Sequence, residues 1–260
     1  MKTTTLSSAA IIAALALGTL TPTVALADAT ALDSTGTVTV EEGGGEDSPG
    51  TVDPEKPDEI LPAPHPDGPG ENVNPNKGAL MVERTSNLNF GTIKTSANEV
   101  TSFAEAPTFG TGENRLKRGN YIQWRDIRAG GTFGYDLTVE MSQQFTGTGT
   151  NTTKLVGSTI DFSNGKMVAQ GDNTNKVPGT VASAFQLTEG GGAQKVVTAD
   201  RAGQEGKGRY IMAFGESEKT ADTSVKLTIP GATASNMVVG NYTAKVTWKI
   251  VAAPTPTPTP

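Results

Sequence analysis

Few residues in this chain have the types and spacing that chemistry needs. The sequence has no cysteine and one histidine, His65, which stands between Pro64 and Pro66. A Ser-His or Cys-His pair needs a positioned imidazole, and a metal site needs several ligands held at fixed distances. A lone histidine in a proline-rich tract provides neither. The sequence therefore argues against nucleophilic catalysis and against a metal site at this histidine.

Carboxylate pairs are the remaining route to catalysis. The acidic residues of the regular part of the chain fall in separate candidate strands: Asp126, Asp136, Asp161 and Asp200. Glycoside hydrolysis requires two carboxylates that converge, and nothing in this spacing brings two together. We therefore expect no enzyme activity and no cofactor. Asp126 and Arg128 flank a single residue, so they should share a strand face and form an ion pair at the sheet rim.

Residues 161–165, Asp-Phe-Ser-Asn-Gly, are similar to the opening of a calcium-binding loop. Such a loop needs a bidentate acid at its twelfth position, where this chain has Asp172 in place of the usual glutamate, and Gly165 comes one place early. Asn-Gly is also a strong turn signal. The segment therefore predicts a hairpin turn and no metal ligand.

Basic residues cluster twice along the chain. They are Arg115, Lys117, Arg118, Arg125 and Arg128, and then Arg201, Lys207 and Arg209. A nucleic-acid-binding domain would be more strongly basic, with interleaved aromatic residues, so we expect no nucleic-acid partner. The simplest interpretation is solvated loop charge. The alternative is a patch that meets anionic wall polymers outside the cell.

The N-terminal residues 1–27 have the features of an export signal. Lys2 precedes an apolar run over residues 6–20, and Ala25-Leu26-Ala27 supplies a small-x-small cleavage site. The run is roughly 15 residues, short of the ~20 that cross a bilayer, so we expect no stable membrane span after cleavage. An exported chain without cysteine is common among secreted proteins of Gram-positive bacteria.

Composition predicts two segments without a folded core. Residues 28–77 hold twelve acidic residues, two lysines and eight prolines, which favour a disordered, acidic, proline-rich linker. Residues 254–260 repeat Thr-Pro and should form a stiff extension. Between these segments, residues 78–253 are expected to form the folded domain.

Period-two alternation of apolar residues dominates residues 78–253. It predicts about nine strands, at 79–83, 121–127, 132–141, 155–162, 181–187, 195–199, 209–214, 224–229 and 241–251. Glycine-rich turns separate them, and no sustained helical stripe occurs. The sequence predicts a single all-β domain and leaves open whether it is a sandwich or barrel-like.

Three segments resemble the WxL-domain surface proteins of Gram-positive bacteria. They are Ser86-Asn87-Leu88-Asn89-Phe90-Gly91-Thr92, the strand Phe133-Gly134-Tyr135-Asp136-Leu137-Thr138-Val139, and Tyr242 with Thr247-Trp248-Lys249-Ile250. Two positions depart from the family pattern. Tyr135-Asp136-Leu137 occupies the place of the first Trp-x-Leu, and the second motif ends in Ile250. Each change keeps an aromatic and an aliphatic residue on one strand face.

The resemblance implies an extracellular protein that attaches non-covalently to the cell wall. The implied ligand is peptidoglycan or an associated wall polymer, and neighbouring surface proteins are implied partners. The candidate motif and ligand-binding residues are Tyr135, Leu137, Tyr242, Thr247, Trp248 and Ile250. Tyr135 and Trp248 could equally be core aromatics. The alternative function is an adhesin that binds a host matrix protein or glycan.

Overall fold

The computed structural model describes residues 34–45, 48–112 and 115–254. The chain divides into two units, residues 1–40 and residues 41–260. In the first unit, the described residues 34–40 contain no helix or strand and are exposed. The expected export signal at 1–27 lies outside the described residues, and so does the Thr-Pro tail after Pro254.

Within the described residues, β-strands dominate the second unit. In chain order they are β1 Val52–Asp53, β2 Lys56–Ile60, β3 Glu71–Val73, β4 Leu80–Ser86, β5 Val100–Phe103, β6 Thr108–Phe109, β7 Leu116–Lys117, β8 Asn120–Asp126, β9 Tyr135–Gly147, β10 Thr159–Phe162, β11 Gly165–Ala169, β12 Thr180–Val181, β13 Phe185–Thr188, β14 Gln194–Ala199, β15 Gly208–Phe214, β16 Val225–Ile229 and β17 Tyr242–Ala252. Two one-turn helices, α1 Ser217–Thr220 and α2 Gly231–Ala234, and a 3-10 turn, Ala221–Thr223, lie in the connections. No helix in the described ranges is long and apolar enough to cross a membrane.

Three antiparallel sheets form the body of the domain. The five-stranded sheet has the order β11-β15-β8-β4-β3, the motif sheet has the order β12-β14-β9-β17, and the third sheet has the order β13-β10-β16-β5. Two small ribbons, β1-β2 and β6-β7, complete the pairing. Each predicted strand overlaps an observed one, but the strand predicted over 181–187 is divided between β12 of the motif sheet and β13 of the third sheet. The predicted all-β class is confirmed. The packed sheets give a sandwich-like arrangement.

One hydrophobic core lies where the three sheets meet. Its largest fully buried side chains include Trp124 of β8, Tyr135 of β9 and Tyr210 of β15. The rings of Trp124 and Tyr210 stack with centroids 5.8 Å apart. Ile160 of β10 and Leu187 of β13 join them from the third sheet. Alternation on each strand therefore directs apolar side chains from all three sheets into a single interior.

Residues 48–68, here called the covering segment, pack on the other face of the five-stranded sheet. Val52 and Leu61 form a second hydrophobic cluster with Phe109, Tyr121 and Ile211. Val52 and Phe109 are fully buried, and burying such a side chain stabilises a fold by about 1.5–3 kcal/mol. Strand β8 is consequently buried on both faces along its whole length.

The expectation of a disordered linker over 28–77 is wrong for residues 48–77. Like charges were expected to repel and keep this tract solvated, but two of its acids, Asp53 and Glu71, pair with arginines of the folded unit. Asp53 accepts two hydrogen bonds from Arg118, at 2.7 and 2.6 Å, and Arg84 donates to Glu71 at 2.6 Å. His65 is likewise buried, and its Nδ1 accepts a hydrogen bond from the backbone of Asp67. The folded unit therefore begins well before residue 78.

Several residues of the basic clusters are not solvated as expected, because they pair with acids inside the fold. Arg125 and Arg209 both lie against the fully buried carboxylate of Glu83. Arg128 and Lys207 pair with Asp126, which is also fully buried, so this pair is internal and does not lie at the sheet rim. These four side chains are neutralised by internal ion pairs and do not form a free basic patch.

The predicted hairpin at Asn164-Gly165 is also wrong. Strand β10 belongs to the third sheet, whereas β11 pairs with β15 in the five-stranded sheet. Asn164 does adopt the left-handed backbone typical of a turn, with φ 53°. The tight turn passes the chain from one sheet to the next, which local sequence could not distinguish from a hairpin.

Candidate groove at the edge of the motif sheet

The two motif segments lie side by side in the motif sheet. Strands β9 and β17 pair antiparallel, with Leu137 opposite Ile250 and Val139 opposite Trp248. The register places Tyr135 opposite Ala252. Segments more than a hundred residues apart in sequence therefore form adjacent rows on one sheet face.

The first motif is fully internal. Tyr135 and Leu137 have no exposed surface. The hydroxyl of Tyr135 accepts a hydrogen bond of 2.7 Å from Nε1 of Trp124, which is itself fully buried. Burial raises the pKa of Tyr135 well above its ordinary value, so the hydroxyl stays protonated. These two residues hold the core and do not reach a surface.

Trp248 of the second motif has a different environment. Its ring lies 6.1, 6.2 and 6.3 Å from those of Phe162, Phe185 and Phe214, so an aromatic cluster fixes its position. The residue is only half-buried, and it lines an open groove. The indole is thus anchored by the core and also accessible to a ligand.

The groove has a volume of about 410 Å³ and lies between β17 and the ends of β3 and β4. Its apolar lining comes from Leu88, Phe90, Phe145, Ile160, Phe162, Phe214, Val246 and Trp248. Its polar lining includes Asn72, Thr85, Asn87, Asn120, Thr243 and Lys245. A depression that combines apolar and polar groups is the usual form of a ligand site.

The other predicted motif residues of β17 divide between two faces. Tyr242 lines one end of the groove, and its hydroxyl donates to the backbone carbonyl of Val238 at 2.7 Å. Burial alone would raise the pKa of Tyr242, but its hydrogen bonds outweigh burial and lower it. Ile250 packs against the core. The hydroxyl of Thr247 lies 2.6 Å from that of Ser142, on the face of the sheet away from the core.

The asparagine side chains of the groove are already hydrogen-bonded within the protein. Asn72 donates to Asn87 at 2.6 Å, and Asn87 donates to the carbonyl of Pro69 at 2.9 Å. Asn120 accepts from Ser86 at 3.0 Å and donates to a backbone carbonyl. These contacts fix the wall of the groove, and each amide keeps part of its hydrogen-bonding capacity.

Lys245 is the cation of this groove, and it is exposed. Among residues 34–45, 48–112 and 115–254, no carboxylate forms an ion pair with it. The cations of the five-stranded sheet, by contrast, face buried acids, as at Glu83 and Asp126. Lys245 is therefore a surface cation without an internal counter-ion, and strand alternation places its side chain on the same face as Thr247.

The four carboxylates considered for catalysis are held in structural contacts. Asp126 pairs with Arg128, and Asp136 pairs with Lys195 at 2.7 Å. Asp161 accepts a hydrogen bond from Gln186, and Asp200 accepts one from the backbone of Gly203. In the part of the chain that the structure describes, no group of His, Cys, Asp or Glu is arranged to hold a metal ion.

The motif residues alone did not predict the groove. Asn72, Asn120 and Lys245 stand at positions without any pattern that marks a site. Ser86, Asn87, Leu88 and Phe90 belong to the first segment of the family resemblance, and this was the available signal. That segment and the last one converge on the groove, whereas the middle one lies in the core.

Comparison with known proteins identifies the chain. The sequence model of one protein family, described as the WxL domain, a surface cell wall-binding domain, matches residues 27–254. No curated protein and no solved structure matches the chain. The family is one of binding domains. Since the match spans most of the sequence, including the groove and both motif strands, the chain belongs to the WxL-domain family of cell-wall-binding proteins and acts at the extracellular cell surface.

Proposed function

We propose that this protein attaches non-covalently to peptidoglycan through the groove beside Trp248. One observation carries the proposal: the second motif places an indole that is rigidly held by three phenylalanine rings yet open to a 410 Å³ groove. A preorganised aromatic surface loses little entropy on binding, so it is suited to wall components with apolar faces.

Peptidoglycan fits this site better than a phosphate-bearing wall polymer does. A polyanion would require several free cations, and the arginines of the five-stranded sheet are neutralised by Glu83 and Asp126. Lys245 is the one cation among the residues that line the groove. Binding should therefore weaken only modestly when salt is raised, because apolar burial is not screened.

The test is co-sedimentation of the purified protein with isolated sacculi. Trp248→Phe keeps an aromatic ring in the cluster, and we expect it to weaken binding by about fivefold, the equivalent of ~1 kcal/mol of lost aromatic contact. Thr247→Ala, on the opposite face of the same strand, is the matched control and should bind normally. Denaturation curves establish that both variants are folded.

Three results would overturn this proposal. The first is equal binding by Trp248→Phe and Thr247→Ala, which would place the ligand elsewhere. The second is binding to host matrix protein but not to sacculi, which would favour the adhesin alternative. The third is retention on whole cells after extraction with a chaotrope, with release only on lytic digestion, which would indicate a covalent linkage.

A further inference from the structure

The groove has an apolar side and a polar side. On the apolar side, alternate residues of β17 direct their side chains towards the core, and these are Tyr242, Ala244, Val246 and Trp248. On the polar side, Asn72 of β3 lies opposite Thr85 of β4, and Thr85 lies opposite the core residue Ile122 of β8. Cross-strand neighbours share a sheet face, so the amide of Asn72 and the hydroxyl of Thr85 lie on the groove side of the five-stranded sheet.

The polar side has hydrogen-bonding capacity that the fold does not use. Among the residues that the structure describes, the hydroxyl of Thr85 has no hydrogen-bond partner, and neither has the side-chain oxygen of Asn72. Asn72 is exposed and donates one of its two N–H groups to Asn87, which in turn donates to Pro69. The two amides are therefore held in position and still have groups to offer a ligand.

The charge of the lining distinguishes between the two parts of peptidoglycan. Among the described residues, Lys245 is the one charged residue of the lining, and its side chain lies on the other face of β17. A stem peptide carries carboxylates and amines, and moving an unpaired charge out of water is costly. N-acetylated sugars offer hydroxyl, amide and C–H groups without a charge. The neutral lining therefore favours the glycan strand.

We propose that the groove binds the glycan strand of peptidoglycan, with a sugar ring against the indole of Trp248 and with hydroxyl or amide groups of the strand at Asn72 and Thr85. This inference rests on the proposed function and names the part of the wall polymer that is recognised. A sugar ring has a C–H face that buries apolar area on an aromatic ring, and a polar edge that exchanges hydrogen bonds. A few placed polar groups beside an apolar surface fix the orientation of such a ligand.

The first experiment separates glycan from peptide. Isolated sacculi are freed of attached wall polymers, so that peptidoglycan is the only source of sugar. We expect the protein to sediment with these sacculi and also with chitin, an insoluble polymer of N-acetylglucosamine that carries no peptide. Soluble N-acetylglucosamine oligomers should compete for the sacculi, and soluble stem peptide should not.

Thr85→Val tests the polar side, because it keeps the shape of the side chain and removes the hydroxyl. We expect it to weaken binding to sacculi and to chitin by about fivefold, as for the loss of one hydrogen bond, without a loss of stability. Thr101→Val is the matched control. Thr101 is an exposed threonine of β5, outside the groove, and its hydroxyl also has no partner in the described ranges. This variant should change binding less than about twofold.

Tryptophan fluorescence tests the contact with the indole. The chain has two tryptophans, and Trp124 is fully buried, so a change in emission on adding N-acetylglucosamine oligomers reports Trp248. We expect this change in the unmodified protein and not in Trp248→Phe.

Three results would overturn the inference and leave the proposed function intact. They are binding to sacculi without binding to chitin, competition by stem peptide and not by the sugar oligomers, and equal binding by Thr85→Val and Thr101→Val. Failure to sediment with sacculi would overturn both.

Discussion

Tyr135→Phe removes a single oxygen atom from the core and tests the assignment of the first motif to folding. The Nε1–H of Trp124 donates to that oxygen at 2.7 Å, and both residues are fully buried. Water cannot replace the lost acceptor. A buried donor without a partner costs about 1–3 kcal/mol, which corresponds to a fall of about 5- to 150-fold in the ratio of folded to unfolded protein. Urea denaturation followed by tryptophan fluorescence measures the loss, which at 2 kcal/mol lowers the midpoint by about 1 M for an m-value of about 2 kcal/mol/M.

Tyr210→Phe is the matched control for this experiment. Its ring stacks on Trp124, and its hydroxyl donates to the carbonyl of Lys207, which also accepts a hydrogen bond from Asn173 and so keeps a partner in the variant. We expect a loss of less than about 1 kcal/mol. Sacculus binding by Tyr135→Phe should match that of the unmodified protein. Equal stabilities for the two variants would refute the reasoning, and so would a binding defect in Tyr135→Phe without a loss of stability.

Three further predictions concern the covering segment and the core. Asp53→Asn breaks a buried ion pair with Arg118 and should cost about 3–5 kcal/mol by chemical denaturation, whereas Glu59→Gln, an exposed pair with Lys56, should cost almost nothing. Burial alone would raise the pKa of Asp53, but hydrogen bonds from Arg118 and the backbone outweigh burial and hold the pKa below its ordinary value of 3.8. The stabilisation by this carboxylate is therefore complete above about pH 4 and is lost as the pH falls further. In an acid titration, the stability of Asp53→Asn should decline less steeply than that of the unmodified protein. In Gly206→Ala the new methyl group would lie 2.6 Å from Cε1 of Tyr135 at a positive φ, so thermal unfolding should reveal a loss of about 2 kcal/mol or more beyond that of Gly190→Ala, where φ is also positive but the space is open. A Gly206→Ala variant as stable as Gly190→Ala would mean that the core yields to the methyl group.

The sequence predicted the parts of this fold that depend on local alternation. Strands such as β9 and β17 bury one face, so their apolar residues recur at every second position and can be read directly. Strands β1 to β3 carry no such pattern. They are short, and their stability depends on the packing of Val52 and on the pairing of Asp53 and Glu71 with Arg118 and Arg84. Charge that is paired across the fold looks identical in sequence to charge that is solvated.

The candidate site was predictable only in part, for a related reason. Trp248 and Tyr242 were identified as motif residues, and both line the groove. The motif gave the same prediction for Tyr135 and Leu137, which are core residues. Whether an aromatic residue on a strand faces the interior or a groove depends on what packs above it, and here that is set by β4 and residues 86–90, far away in sequence. Nothing in the sequence around Lys245 marks it as a residue that lines the groove.

The covering segment also determines how the domain would respond to force. A wall-bound protein experiences shear, and tension transmitted through the chain upstream of residue 48 reaches the covering segment first. There it first meets the hydrogen bonds that join Ser48, Gly50 and Val52 to Arg84 of β4 and Gln123 of β8. The buried pair of Asp53 and Arg118 follows. These contacts therefore act as a mechanical clamp in series with the sheets. Under steady pulling from that end, detachment of this clamp should precede rupture of the sandwich, so that the groove survives the first extension event.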